Sequence, residues 1–166
     1  MNLIKCFQTN STCYQNTDIG IPVGVLWHDT GAGNPYLKRY VQPLATDSNY
    51  NEMIALLGKN KYNNDWNHTS QQAGLNGWIG KLEDGSIATI QSMPLDYKPW
   101  GCGSGGRGSL NMLSDGRIWV QFEICDDSYT SKEYFDKVYK EACEFTAYIC
   151  QIYNIDPKGT VSYNGL

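Results

Sequence analysis

Residues 117–153 read RIWVQFEICDDSYTSKEYFDKVYKEACEFTAYICQIY, and the spacing of apolar positions changes once along them. Up to Cys125 the period is two, with Ile118, Val120, Phe122 and Ile124 on one face of an extended chain and Trp119, Gln121 and Glu123 on the other. From Thr130 the period is helical: Val138, Ala142, Phe145, Ile149 and Ile152 recur at helical steps until Asn154 and Pro157 close the run. Thr130 and Glu133 have the spacing of a capping box, which puts the helix start beside Thr130. A strand feeding a long amphipathic helix is a building unit of layered α/β folds.

The same reading extends in both directions. GVLWH (24–28) is strand-like, and DSNYNEMIALLG (47–58) is a short helix with Asp47 or Ser48 as its N-cap and Gly58 just past its end. The polar run KNKYNNDWNHTSQQ (59–72) is a long loop. LNGWIGKL (75–82) and SIATIQS (86–92) are two strands joined through Glu83-Asp84-Gly85, a hairpin signal. PWGCGSGGRGS (99–109) is too rich in glycine for regular structure, and TVSYNGL (160–166) starts like another strand. The order predicts a mixed central sheet flanked by helices, in the α/β class, with residues 1–166 as a single domain without repeat, linker or low-complexity tail.

Composition sets the outer bounds. With 166 residues, 41% hydrophobic, 18% charged and twelve tyrosines, the chain is long enough for a real core and needs no disulfide framework. A net charge of −4 with no Lys/Arg cluster argues against holding a nucleic-acid backbone. No run is long and apolar enough for a membrane span, and MNLIKCFQTN lacks the apolar core of a secretory signal, so the expectation is synthesis in the cytoplasm. Six cysteines are expected as reduced thiols. Cys143 and Cys150 would lie about 10.5 Å apart along a helix, too far to pair, and are expected in the core. Cys6 and Cys13 flank a polar loop and would pair only in an oxidising medium.

Few residues carry recognisable chemistry. His28 ends a strand and is followed at once by Asp29-Thr30-Gly31-Ala32-Gly33, the place where open sheets put ligand sites. A satisfied structural histidine is the competing reading. His68, in the polar loop, reads as solvated. Gly101-x-Gly103-x-x-Gly106 matches the dinucleotide fingerprint in letters alone, because a strand and not a helix comes after it. Its glycines permit close approach of a ligand or a backbone, or simply make a flexible loop. Glu123 is either a solvated alternating position or a carboxyl held in a cleft as a general acid or base. Trp27, Trp78, Trp100 and Trp119 read as core, with a groove for sugar or peptide as the second use of such rings.

Taken together, TNSTCYQN, GVLWHDTGAG, GLNGWIGKLEDGSIATIQ, WGCGSGGRGS, WVQFEICDD and YKEACEFTAYICQIYNIDP resemble the zinc-dependent N-acetylmuramoyl-L-alanine amidases of the peptidoglycan-recognition-protein-like (amidase type 2) family, in the endolysin form of phages and prophages. The resemblance implies that His28 is a zinc ligand, that Glu123 assists the zinc-bound water, and that Asn76, Trp100 and Gly103 belong to the substrate groove. The implied reaction hydrolyses the amide between N-acetylmuramic acid and the L-alanine of the stem peptide, on cell walls reached after release from the cytoplasm. The family pattern continues with two more zinc ligands, a histidine and then an aspartate or cysteine. They are expected beyond Leu166, so the sequence reads as an amidase domain lacking its C-terminal part. The alternatives are an inactive fragment or a non-catalytic peptidoglycan-binding module and, more remotely, a small nucleotide-binding domain.

Overall fold

A computed structural model describes residues 1–103 and 109–159. Gly106 of the glycine fingerprint and the strand expected at 160–166 lie outside the described residues. The elements are β1 (Leu3–Lys5), α1 (Thr12–Asn16), β2 (Ile21–Asp29), α2 (Tyr50–Leu57), β3 (Gly77–Lys81), β4 (Ile87–Gln91), β5 (Arg117–Ile124) and α3 (Lys132–Tyr153), with a 3-10 turn at Leu37–Arg39. The strands form one five-stranded sheet in the order β1-β4-β3-β5-β2. β2, β5 and β3 run parallel, and the β3–β4 hairpin turns the direction so that β4 and β1 run the other way. The hairpin forms where its Asp-Gly signal put it, with Gly85 at φ +83°.

Both faces of this mixed sheet are covered. On one face α3 packs Val138, Ala142, Phe145 and Ile149 against Ile79, Val120 and Phe122. Gly77 permits this approach, because a Cβ there would stand 3.0 Å from the Phe145 ring. On the other face α2 and the 3-10 turn bring Met53, Leu57, Leu37, Tyr40 and Val41 over Trp78, Leu82, Ala88, Ile90 and Cys125. The period-two reading of β5 therefore holds: its Val120 and Phe122 face α3, while Cys125, one step out of phase, belongs to the opposite core.

Several boundaries differ from the sequence reading. β1 and α1 form in the N-terminal segment that carried no strong periodicity. α2 is capped at Asn49, not at Asp47 or Ser48, since Asp47 is already engaged by the Leu44 amide. α3 is capped by Ser131, whose hydroxyl accepts from the Tyr134 N–H, in place of Thr130, whose hydroxyl turns back to Asp127. All six cysteines are free. Burial pushes the Cys6 and Cys13 thiols up to about 12, so neither is poised to react. Cys143 corrects the expectation of two buried helix thiols: it is exposed, because it falls one position outside the α3 stripe that holds Ala142 and Cys150. Among the described residues no helix is long and apolar enough to cross a membrane.

Candidate active site at the carboxyl ends of β2 and β5

β2 and β5 are neighbouring parallel strands in which His28 is directly in register with Glu123, so both side chains leave the same face of the sheet near the strands' carboxyl ends. This is the face opposite α3, as the burial of Trp27 and Phe122 against that helix shows. Trp78 on β3 is in register with Glu123 on its other side, giving a row His28, Glu123, Trp78 across three strands.

Two buried side-chain atoms among the described residues lack any hydrogen-bond partner, Trp78 Nε1 and Glu123 Oε2, and both belong to this row. They are the buried polar atoms of this row that still have hydrogen-bonding capacity to offer. Burial, reinforced by the charges of Asp29 and Asp126, pushes the Glu123 carboxyl from 4.5 up to about 7. A carboxyl in that range exchanges a proton at neutral pH.

His28 is held on its far side. Its Nε2 lies 2.9 Å from Gln121 Oε1, which also accepts from Cys102 Sγ at 3.5 Å. The Gly101 backbone runs over this contact; a Cβ there would collide with the Gln121 and Leu75 side chains and stand 3.4 Å from His28 Nε2. A side chain at 101 would therefore displace the Gln121 amide from its contact with His28.

The turn after His28 is organised by Asp126, on the segment leaving β5. Its carboxylate accepts from the Thr30 hydroxyl at 2.9 Å, from Ala32 N–H at 2.7 Å, from Gly33 N–H at 3.1 Å and from Ser128 N–H at 2.8 Å. Burial acts to raise this carboxyl, yet the hydrogen bonds from Ser128, Thr30, Gly33 and Ala32 outweigh it and hold the group below the usual carboxylate range. Gly31 and Gly33 adopt φ of +54° and +60°, and a side chain at 33 would meet Ser128 Oγ, which explains the glycines of the TGAG turn.

The remaining expected residues divide. Trp100 is half-buried on the segment leading to Gly101, and Gly103 is exposed, with no side-chain or backbone neighbour within 4 Å of its Cβ position among the described residues. Asn76 is fully buried, its Nδ2 donates to Pro94 O and Tyr97 O at 2.9 Å each, and its Oδ1 accepts from Gln121 N–H at 3.0 Å. Through these bonds Asn76 ties the start of β3 to β5. His68 pairs through Nδ1 with Asp65 Oδ1 at 2.9 Å in the loop after α2. Among the described residues no three His, Cys, Asp or Glu side chains converge as metal ligands. His28 is a suitable imidazole donor for zinc, but a catalytic zinc takes three protein ligands, so the described residues do not hold the ion by themselves. Past Gly103 the described chain enters turns and then β5, not a helix, which leaves the dinucleotide fingerprint without its structural context.

Sequence reasoning missed Gln121, Asn111, Cys102 and Asp126. Each acts through hydrogen bonds to other segments of the chain, which its own letter and immediate neighbours do not announce.

No family model and no curated protein matches the sequence. Solved structures do. PlyL aligns with TM-score 0.54 at 15% identity, over 94% of this chain and 76% of that one. The Staphylococcus aureus hydrolase AmiA, solved with its ligand, aligns with TM-score 0.53 at 17% identity, over 99% of this chain and 61% of that one. The PlyG catalytic domain aligns with TM-score 0.52 at 19% identity, over 93% and 73%. The mixed five-stranded sheet with its flanking helices is thus the peptidoglycan-recognition-protein-like, amidase type 2 fold that the sequence segments resemble.

Proposed function

We propose that this chain is a cell-wall hydrolase that cleaves the amide between the lactyl group of N-acetylmuramic acid and the L-alanine of the stem peptide. The carrying observation is Glu123: a carboxyl with a partnerless buried oxygen, brought near neutrality by burial, and in register with the imidazole of His28. Likeness in fold to a hydrolase and to a catalytic domain supports an enzyme of this kind.

Amide hydrolysis breaks an O–H bond of water, forms a C–O bond at the carbonyl carbon and releases the amine with an added proton. Glu123 as carboxylate takes the proton of the attacking water and returns it to the leaving nitrogen, a service worth roughly 10²–10⁴-fold in rate. A zinc ion, when bound, polarises the carbonyl and lowers the pKa of water toward neutrality. His28 is the ligand this chain is proposed to contribute to it, with the other donors coming from outside the described residues. Trp100 and Gly103, one position before and two after Gly101 in the chain, are proposed as groove walls for glycan or peptide. In this reading the protein is made in the cytoplasm and meets its substrate after release.

Purified peptidoglycan, incubated with added zinc and the protein in a form that supplies the remaining zinc donors, tests the proposal. Release of stem peptides with free L-alanine amino groups, lost in His28→Ala and reduced about 10²–10⁴-fold in Glu123→Gln, is the expected result. New reducing sugar ends without free L-alanine would assign a different bond. Retention on the walls with no release from them would assign the non-catalytic binding module instead.

A further inference from the structure

We infer that Gln121, locked in orientation by Asn111, is a positioning residue that fixes His28 as the Nε2–H tautomer and leaves its Nδ1 as the lone-pair nitrogen. The assignment follows from backbone groups whose roles are unambiguous. The Cys102 N–H can only donate, and it lies 2.8 Å from one side-chain atom of Asn111; the Cys102 carbonyl can only accept, and it lies 2.6 Å from the other. Asn111 therefore presents Oδ1 to the Cys102 amide and Nδ2 to its carbonyl. Asn111 Oδ1 is also 3.2 Å from an end atom of the Gln121 amide, which must donate and is therefore Nε2. The other end, Gln121 Oε1, can only accept, and it stands 2.9 Å from His28 Nε2. His28 Nε2 must carry the proton.

Geometry around the contact reinforces the lock. Gln121 is fully buried, and its backbone is tied on both sides to Asn76, with Gln121 N–H donating to Asn76 Oδ1 at 3.0 Å and Asn76 N–H donating to Gln121 O at 2.9 Å. The Gly101 backbone lies beside the contact, since a Cβ there would collide with Gln121 Oε1 and stand 3.4 Å from His28 Nε2. Donation of one ring N–H to a fixed acceptor is how proteins orient an imidazole whose other nitrogen binds a metal or a proton. What Nδ1 then receives rests on the proposed function; the tautomer does not. His68, the second of only two histidines, should carry its proton on the other nitrogen, since its Nδ1 faces the Asp65 carboxylate.

The test is long-range proton–nitrogen correlation NMR on the full chain with labelled imidazoles, at pH ~8 where imidazoles are ordinarily neutral. His28→Gln assigns the two rings. The expected wild-type spectrum has a sharp, slowly exchanging N–H on His28 Nε2 and none on Nδ1, with the reverse for His68. Gln121→Met should lose the slow His28 N–H to solvent exchange, whereas Gln121→Glu, which keeps an acceptor, should retain it. An intact His68 pattern reports folding in each variant. Should Gln121→Met unfold, Asn111→Ala provides the same readout, because it frees the Gln121 amide to rotate and should speed His28 N–H exchange. A wild-type proton on Nδ1, or a His28 N–H unaffected by Gln121→Met or Asn111→Ala in the folded protein, would overturn the inference. Wall cleavage does not enter this readout, so an inactive protein with the expected tautomers would count against the proposed function alone.

Discussion

At Glu123 an apolar environment holds a carboxyl group near neutrality, from 4.5 to about 7. Because the folded value lies above the unfolded one, the native state keeps a proton that the unfolded chain has lost between those two values. The contribution of this group to stability is fully present below pH ~4.5 and is lost as pH rises through about 7. Glu123→Gln, which stays neutral, is expected to melt above the wild type at pH 8, by on the order of 1 kcal/mol after allowance for partial exposure, with the gap closing by pH 4. Activity should run the other way, rising with pH through about 7 as the carboxylate forms. Thermal melts and wall-cleavage rates at the same pH values measure both, and a wild type more stable than Glu123→Gln at pH 8 would contradict the environment assigned to this group. The alternation of RIWVQFEIC was enough to single out Glu123, since a carboxyl between Phe122 and Ile124 is a local anomaly. The same letters said nothing of Gln121, which looks like any outward polar residue until Asn111 and Gly101 close around it.

Among the elements, the turn that follows β2 depends on a residue of another strand. Asp126 satisfies the Thr30 hydroxyl and the Ala32, Gly33 and Ser128 amides at once. Asp126→Ala would strand these donors, and its expected cost is about 2–4 kcal/mol in urea unfolding, with looser placement of His28. Asp126→Asn keeps one acceptor and should fall between the two. Equal stability of wild type and Asp126→Ala would show that the turn holds itself. Element identity was readable where periodicity was strong, in β5, α3 and the hairpin. It failed at β1 and α1, where three and five residues are too few for a period to register. It failed also at the caps, because Asp47 and Thr130 had other hydrogen bonds to make.

For the whole molecule, the sheet is a layer between two cores, and the site lies on the face away from α3. Phe145, fully buried beneath Phe122 and against Gly77, anchors the α3 side. Phe145→Ala is expected to cost about 3–5 kcal/mol in denaturant unfolding. If the two faces are independent, the exchange behaviour of the His28 N–H in the folded variant stays as in the wild type. The sequence alone determined the periodic elements, the α/β class, and the placing of His28 at a strand end and Glu123 on the polar face of its strand, since all of these are set by contacts within a few residues. Tertiary structure decided that β2 pairs with β5, and so that His28 and Glu123 stand in register although 95 positions separate them. It also decided that Asn76 is an internal tie and that Gln121 and Asp126 serve the site. Those outcomes depend on strand pairing and on hydrogen bonds between distant segments, and local propensity holds no information about either.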